Sequence, residues 1–252
     1  MYKIPANTLF MGKNLVYVPE CHSTNTLAAE LCQRSSTIEG TMIVTDSQTK
    51  GRGQRGNEWY SEPYKNLTIS VILKPAFIKP GDQFNLTIAI SLALRDYLTL
   101  RVAGVIKIKW PNDILLNGKK VCGILIENSI KRDVIQQSVV GIGLNVNQLV
   151  FESENASSMK LAAGHDFVLP DELSLLMALL EQRYLQLRSG KIEQLKGEYL
   201  NVLYAIGERR KFTETDGEME GTIVGITQQG MLMMAVQGRI RSYDLKQIRF
   251  AD

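Results

Sequence analysis

Apolar residues along this chain change their period several times, and the changes predict an α+β fold. Asn14 to Val18 reads as a short strand and Thr41 to Thr45 as a second one. Between them Leu27, Ala28 and Leu31 fall at helical spacing, with Ser23 or Thr24 placed to cap that helix. Leu67 to Leu73 alternates in the manner of a half-buried strand. From about Gln83 to Leu98 apolar side chains cover nearly every face, which predicts a central, buried helix with Asp82 as its cap. Val105 to Trp110 is a strand with Lys107 and Lys109 on one face, stopped by Pro111. Asn117-Gly118 is a strong hairpin signal joining Ile114–Leu116 to a strand from Lys119 to Asn128. Val134 to Leu144 is a further strand, and the stretch to Ser158 is polar and loop-like. Two amphipathic helices follow, one from Pro170 to Ser189-Gly190 and one from Ile192 to about Tyr204.

Beyond Gly207 the texture changes. Glycines at 217, 221, 225, 230 and 238 punctuate short apolar runs, the spacing of a small β-barrel of about five strands. The expectation is a larger domain over residues 1–206 and a small β domain over 207–252. Composition adds exclusions. At 252 residues, 44% hydrophobic and 22% charged, the chain suits a globular protein with a real core. A net charge of +3 gives no argument for nucleic acid. No apolar run approaches the ~20 residues of a membrane span, and Met1 to Pro5 does not resemble a signal peptide. Three cysteines, Cys21, Cys32 and Cys122, without framework spacing fit reduced thiols in the cytoplasm.

Against that background one segment stands out: Gly51-Arg52-Gly53-Gln54-Arg55-Gly56-Asn57-Glu58-Trp59. Its glycines let backbone N–H groups approach a ligand, and its arginines supply forked positive charge for phosphate or carboxylate. The spacing imitates a dinucleotide fingerprint. However, no helix start follows, and no carboxylate stands roughly 20 positions on. Three further segments carry chemistry. Ser23-Thr24-Asn25 can hydrogen-bond a ligand or simply cap a helix. Asp113, ending Lys109-Trp110-Pro111-Asn112-Asp113, could hold Mg²⁺, orient an amine or form a turn. Alternation sends Lys119 and Lys120 opposite ways, so one is solvated and the other can face a site. Gly123 suggests close approach of a ligand or backbone, and Gly141 to Asn147 ends the next strand with two glycines and two carboxamides at a site-like position. Two histidines assemble no nucleophilic triad, and no Cys/His spacing suits zinc. Cations, glycines and carboxamides recur, a mix suited to electrostatic stabilisation of an anionic transition state.

Ser23-Thr24-Asn25, Gln48 through Trp59, Lys109 to Asp113, Lys120-x-x-Gly123-Ile124-Leu125-x-Glu127 and Gly141-x-Gly143-x-Asn145, in that order, resemble the biotin protein ligases. The likeness covers about residues 14 to 150, and the C-terminal segment resembles the family's SH3-like cap. The resemblance implies a class II synthetase-like catalytic domain with a mixed or antiparallel sheet flanked by helices. It also implies two steps. Biotin's carboxylate attacks the α-phosphate of MgATP, and the ε-amine of a lysine on a biotin carboxyl carrier protein then attacks the adenylate. Carried over, Ser23, Thr24, Asn25 and Gln48 would hold biotin, with Gly51, Arg52, Gly53 and Gln54 folding over its carboxylate. Arg52 and Arg55 would meet the adenylate phosphate, Trp59 would pack near adenine, and Asn145 would contact the nucleotide. Lys120 would supply a point charge to both carboxylate and phosphate, and Gly123 would leave room for the ligand. Asn112 and Asp113 would position phosphate, Mg²⁺ or the incoming lysine.

Two departures qualify the likeness. Gln54 stands where many members have arginine, and a neutral amide cannot neutralise phosphate. Only about 15 residues precede the first strand, so a monofunctional enzyme, monomer or homodimer, is expected without a helix-turn-helix repressor module. The alternatives are a lipoate or octanoate ligase and a non-catalytic biotin sensor. The first is separated by the acid it accepts, the second by pyrophosphate formation.

Overall fold

In a computed structural model of the chain, residues 2–34, 37–214 and 217–251 are described. The first sheet has seven strands in the order β1-β2-β3-β7-β6-β5-β4. They are β1 Leu15–Cys21, β2 Met42–Gln48, β3 Leu67–Leu73, β4 Ile106–Lys109, β5 Asp113–Leu116, β6 Lys119–Lys131 and β7 Val134–Leu144. β1 and β2 are parallel, with helix α1 (Thr24–Arg34) as the crossover. The other pairs are antiparallel, so the sheet is mixed, as expected.

β3 has the predicted bounds but not the predicted exposure. Its alternation is real, yet all seven residues are buried. Leu67, Ile69, Val71 and Leu73 enter the main core, while Ile72 packs with Ala28 of α1 on the opposite face. A strand covered on both sides buries its polar alternates as well, and Thr68 and Ser70 end up beneath α1 and the neighbouring cavity.

Helix α2 (Phe84–Arg101) crosses the other face and packs on α4 (Leu169–Arg188) and α5 (Ile192–Asn201). It is the central helix its composition predicts. Asp82 does not cap it. That carboxylate belongs to a 3₁₀ turn, Pro80–Asp82, and accepts from Gln228 Nε2 at 2.9 Å. The α2 N-terminus has no side-chain cap, because Pro80 draws the chain into a tighter turn first. A short helix, α3 (Met159–Ala163), capped by Ser158, closes the polar connection after β7.

The second sheet is antiparallel, in the order β11-β10-β9-β8-β12: β8 Arg209–Glu214, β9 Gly217–Ile226, β10 Leu232–Val236, β11 Arg239–Tyr243 and β12 Arg249–Phe250. Its inward residues Phe212, Ile223, Leu232 and Met234 join the same apolar core as the first sheet. The indole N–H of Trp110 donates to Gly230 O at 2.8 Å across the junction. Among the described residues no helix is long and apolar enough to cross a membrane.

The segment ahead of β1 is held by one buried acid. Glu181 of α4 accepts the backbone N–H groups of Leu9, Phe10 and Met11 at 2.6, 2.8 and 2.9 Å. Glu181→Ala would strand three donors, and urea unfolding is expected to register a loss of about 2–4 kcal/mol. A loss below about 0.5 kcal/mol would mean that water satisfies the segment equally well.

Candidate functional site

The site begins with missing side chains. Gly123 of β6 lies opposite Gly143 of β7, and Leu125 opposite Gly141. Across β7, Gly143 and Gly141 oppose Thr68 and Ser70 of β3. The centre of the sheet is thus bare on one face, and two side chains lie close upon it. A Cβ on Gly141 would collide with Asn25 Oδ1, and one on Gly143 would overlap the Trp59 indole. A Cβ on Gly123 would come within 2.9 Å of Trp59 Cζ3.

Polar groups at the start of α1 form one wall. The cap of this helix is remote: Gln48 Oε1, from the end of β2, accepts the Thr24 N–H at 2.8 Å. Ser23 stands directly ahead of the helix, its carbonyl accepting Leu27 N–H at 3.0 Å, and both Ser23 and Thr24 line the cavity. The Ser70 hydroxyl lies 2.8 Å from Thr24 Oγ1 and donates to Asn25 Oδ1 at 2.6 Å. Asn25 Nδ2 donates to Glu127 Oε2 at 2.8 Å and to Leu125 O at 3.2 Å. The result is a ready-made set of donors and acceptors around a small polar head group.

The glycine–arginine loop forms the lid. Gly53 N donates to Asn57 O at 2.7 Å, Trp59 N donates to Gly51 O at 2.9 Å, and the backbone of Arg52 forms an antiparallel bridge with that of Glu58. Gly51 must be glycine, since a Cβ there would strike Trp59 O. Residues Gln54–Gly56 make a 3₁₀ turn at the tip. Arg52 does not extend freely toward an anion; its Nη2 pairs with Glu127 Oε2 at 2.7 Å. The Arg55 side chain lies outside the described part of the structure.

Trp59 separates two spaces. One, about 50 Å³, is lined by Ser23, Thr24, Asn25, Gln48, Arg52, Gln54, Lys120 and the glycine strip. The other, about 520 Å³, lies between the loop, the Lys109–Asp113 segment and the second sheet. A space of 50 Å³ holds only a few waters. The indole Nε1 is buried without a partner, which marks a position awaiting a ligand or a move.

Lys120 stands at the boundary. Its Nζ lies 5.4 Å from the Trp59 ring centroid and 2.8 Å from Asp113 Oδ1, an ion pair without hydrogen-bond alignment. As alternation requires, Lys119 is exposed while Lys120 is half-buried toward the site. Asn112 lines both spaces, its amide fixed on Ile124 O at 2.7 Å. Lys109 and Arg249 bring further positive charge to the larger space. Lys109 Nζ sits 4.5 Å from the Phe250 ring centroid.

Asn145 lines neither space. Its Nδ2 donates to Ser157 O at 3.0 Å, holding the connection that pairs with the Lys120 backbone. Its Oδ1 is buried and unpartnered. Cys122 beside it is fully buried, and burial drives its thiol far up, so it stays neutral.

No cluster of three or more His, Cys, Asp or Glu capable of holding a metal occurs among the described residues. The single carboxylate of Asp113 fits Mg²⁺ only where substrate phosphates complete the shell. Sequence reasoning missed Thr68 and Ser70, whose signal was a polar alternation on a strand read as half-exposed. It also missed Lys109 and Arg249 as lining groups and left Glu127 without a role.

A glycine-floored, amide-walled head pocket joined to a cationic cleft is suited to holding a small acid beside gathered positive charge. The model of the biotin/lipoate A/B protein ligase family matches residues 17–145, about half the chain, and the chain belongs to that family. It is 30% identical over 239 residues to the bifunctional ligase/repressor BirA of Bacillus spizizenii, covering 93% of this chain and 73% of that protein. It is 31% identical over 238 residues to the biotin–[acetyl-CoA-carboxylase] ligase of Mycobacterium tuberculosis, covering 90% and 85%. The biotin protein ligase of Aquifex aeolicus, solved with biotin and ATP, superposes with a TM-score of 0.78 at 26% identity over 94% of this chain and 98% of the other.

Gly143→Ala tests the strip. The added methyl occupies the indole's place, so Trp59 is expected to leave the sheet and its emission to shift to longer wavelength in a Trp110→Phe background. Unchanged emission would show that the indole does not rest there in solution.

Proposed function

We propose that the protein is an ATP-dependent biotin protein ligase. Biotin's carboxylate attacks the α-phosphate of ATP, forming biotinyl-5′-adenylate and releasing pyrophosphate. The ε-amine of one lysine of a biotin carboxyl carrier protein then attacks the acyl carbon, forming an amide and releasing AMP. The observation that carries this reading is the head pocket of Thr24, Asn25, Ser70 and Gln48 beside Lys120. A ureido ring presents a carbonyl acceptor and two N–H donors, which such a wall can satisfy. The dithiolane of lipoate offers that polar wall no donor or acceptor, which favours biotin over lipoate as the acid. The three free cysteines fit a cytoplasmic setting.

In this reading the bare strip through Gly123, Gly141 and Gly143 receives the flat ring and chain of biotin once Trp59 moves aside to pack near the adenine. Arg52, with Lys120, faces the carboxylate and α-phosphate, where negative charge gathers in the transition state. Asn112 and Asp113 border the larger space, where the triphosphate lies beside Lys109 and Arg249. Mg²⁺ bound there would neutralise phosphate charge, with Asp113 as its protein ligand. In the second step Asp113 can receive or orient the incoming amine, since Lys120 already holds it toward the cleft. The boundary between a catalytic domain and a smaller β domain falls near residue 206, just ahead of β8.

Incubation with ATP, a carrier domain and either biotin or lipoate tests the function. The expected outcome is pyrophosphate release and a biotin-sized mass increase on one carrier lysine; labelling by lipoate alone would overturn it. Lys120→Ala is expected to slow adenylate formation by about 10²–10³-fold. Its unfolding midpoint should hardly move, because Lys120 Nζ is engaged with the site and not the core. Gln54→Arg adds charge at the lid and is expected to slow escape of the adenylate, measured by trapping with free amines.

A further inference from the structure

Residues 51–59 rest on the sheet through the Trp59 ring, and their backbone is tied mostly to itself. The backbone hydrogen bonds described for the lid run from Gly53 to Asn57, Asn57 to Gln54 and Trp59 to Gly51. The side-chain tie to the sheet is different: Arg52 reaches across 75 positions to Glu127 on β6. The same Oε2 atom accepts Asn25 Nδ2 from the opposite wall. One carboxylate oxygen therefore joins the head-group wall to the lid. Behind it, Asn25 is fixed by Ser70. Glu127 itself sits on a strand paired to β7 at Val139, so it cannot drift with the loop.

We propose that Glu127 is a positioning residue for Arg52. The guanidinium has five N–H donors and spends one on Glu127 at 2.7 Å. The others are left at the rim of the small cavity that Arg52 lines, where the acid's carboxylate arrives. Glu127 thus holds the cation ready before substrate binds, and it couples the lid to the state of the head pocket through Asn25. The pair is 45% and 41% exposed, so water weakens it enough for the lid to open and let the acid in. This rests on the biotin-ligase reading of the site. The opposite role is chemically sensible too: Glu127 could compete with the substrate carboxylate for Arg52. The two roles differ in sign.

Glu127→Gln keeps the shape and an acceptor for Asn25 while removing the charge. The expected result is a biotin KM raised about fivefold, kcat for adenylate formation within about twofold, and an unchanged unfolding midpoint. Glu127→Asp should recover part of the loss. Trypsin without ligand gives a second readout, as cleavage after Arg52 or Arg55 should be several-fold faster in Glu127→Gln. In the Arg52→Gln background, Glu127→Gln should add nothing to cleavage after Arg55, since the tie is already gone. A lowered KM for biotin would establish competition in place of positioning. An unchanged KM with unchanged cleavage would remove any role for the pair. Should the wild-type chain form no biotinyl-adenylate, the biotin reading falls, while the tryptic comparison still decides whether Glu127 holds the lid.

Discussion

The structure depends on what three glycines leave out. Gly123, Gly141 and Gly143 lie side by side across β6 and β7 and strip the middle of a seven-stranded sheet of side chains. A sheet face normally keeps a neighbour about 10 Å away. Here Asn25 and the Trp59 indole approach the backbone directly. The candidate site is arranged around that depression: Asn25 of α1 lines one margin, the glycine–arginine loop arches over it, and Lys120 lines both this space and the one toward the second sheet. The cost is lost packing and extra backbone entropy in a central strand. The main core on the other face, dense with residues of α2, α4 and β3, offsets it.

Charge is placed with similar economy. Lys120 is paired with Asp113, and Arg52 with Glu127, so each of these four charges has an opposite charge beside it. Both pairs are partly solvated, so the cations can turn to a substrate anion without breaking a dry ion pair. An ion pair elsewhere differs in having its acid buried. Glu172, nearly inaccessible, holds Arg101 through two hydrogen bonds of 2.8 and 2.5 Å and takes a third from Tyr97. That network fastens α2 to α4.

Local signals in the sequence translated well. Leu67–Leu73 and Val134–Leu144 have the strand bounds that their patterns predict, and Asn117-Gly118 turns the expected hairpin. The loop, the Lys109–Asp113 segment and the Lys120–Glu127 strand do converge on one cleft. What escaped were relations between distant residues. Gln48 caps a helix that begins 24 positions earlier, and no local pattern announces a cap from a following strand. Asp82 had the right residue type and place for a cap, but a proline turn took the chain elsewhere. Ser70 looked solvent-facing because alternation reveals which face a side chain takes and not what covers that face. Asn145 belongs to a matching motif yet serves as a brace behind Lys120, a distinction only three dimensions supply.

The bond from Trp110 to Gly230 unites two regions that are remote in the chain. Trp110 immediately precedes the Pro111-Asn112-Asp113 turn at the cleft, while Gly230 lies in the turn entering β10. Phe250 of the same sheet flanks Lys109. The small sheet therefore acts as a mechanical backstop for the Lys109–Asp113 segment that lines the larger space. A substitution on its inner strands therefore disturbs the cleft as well as the sheet, so tolerance to change should concentrate at its outer edge, on β11, where Arg239 to Ser242 are exposed.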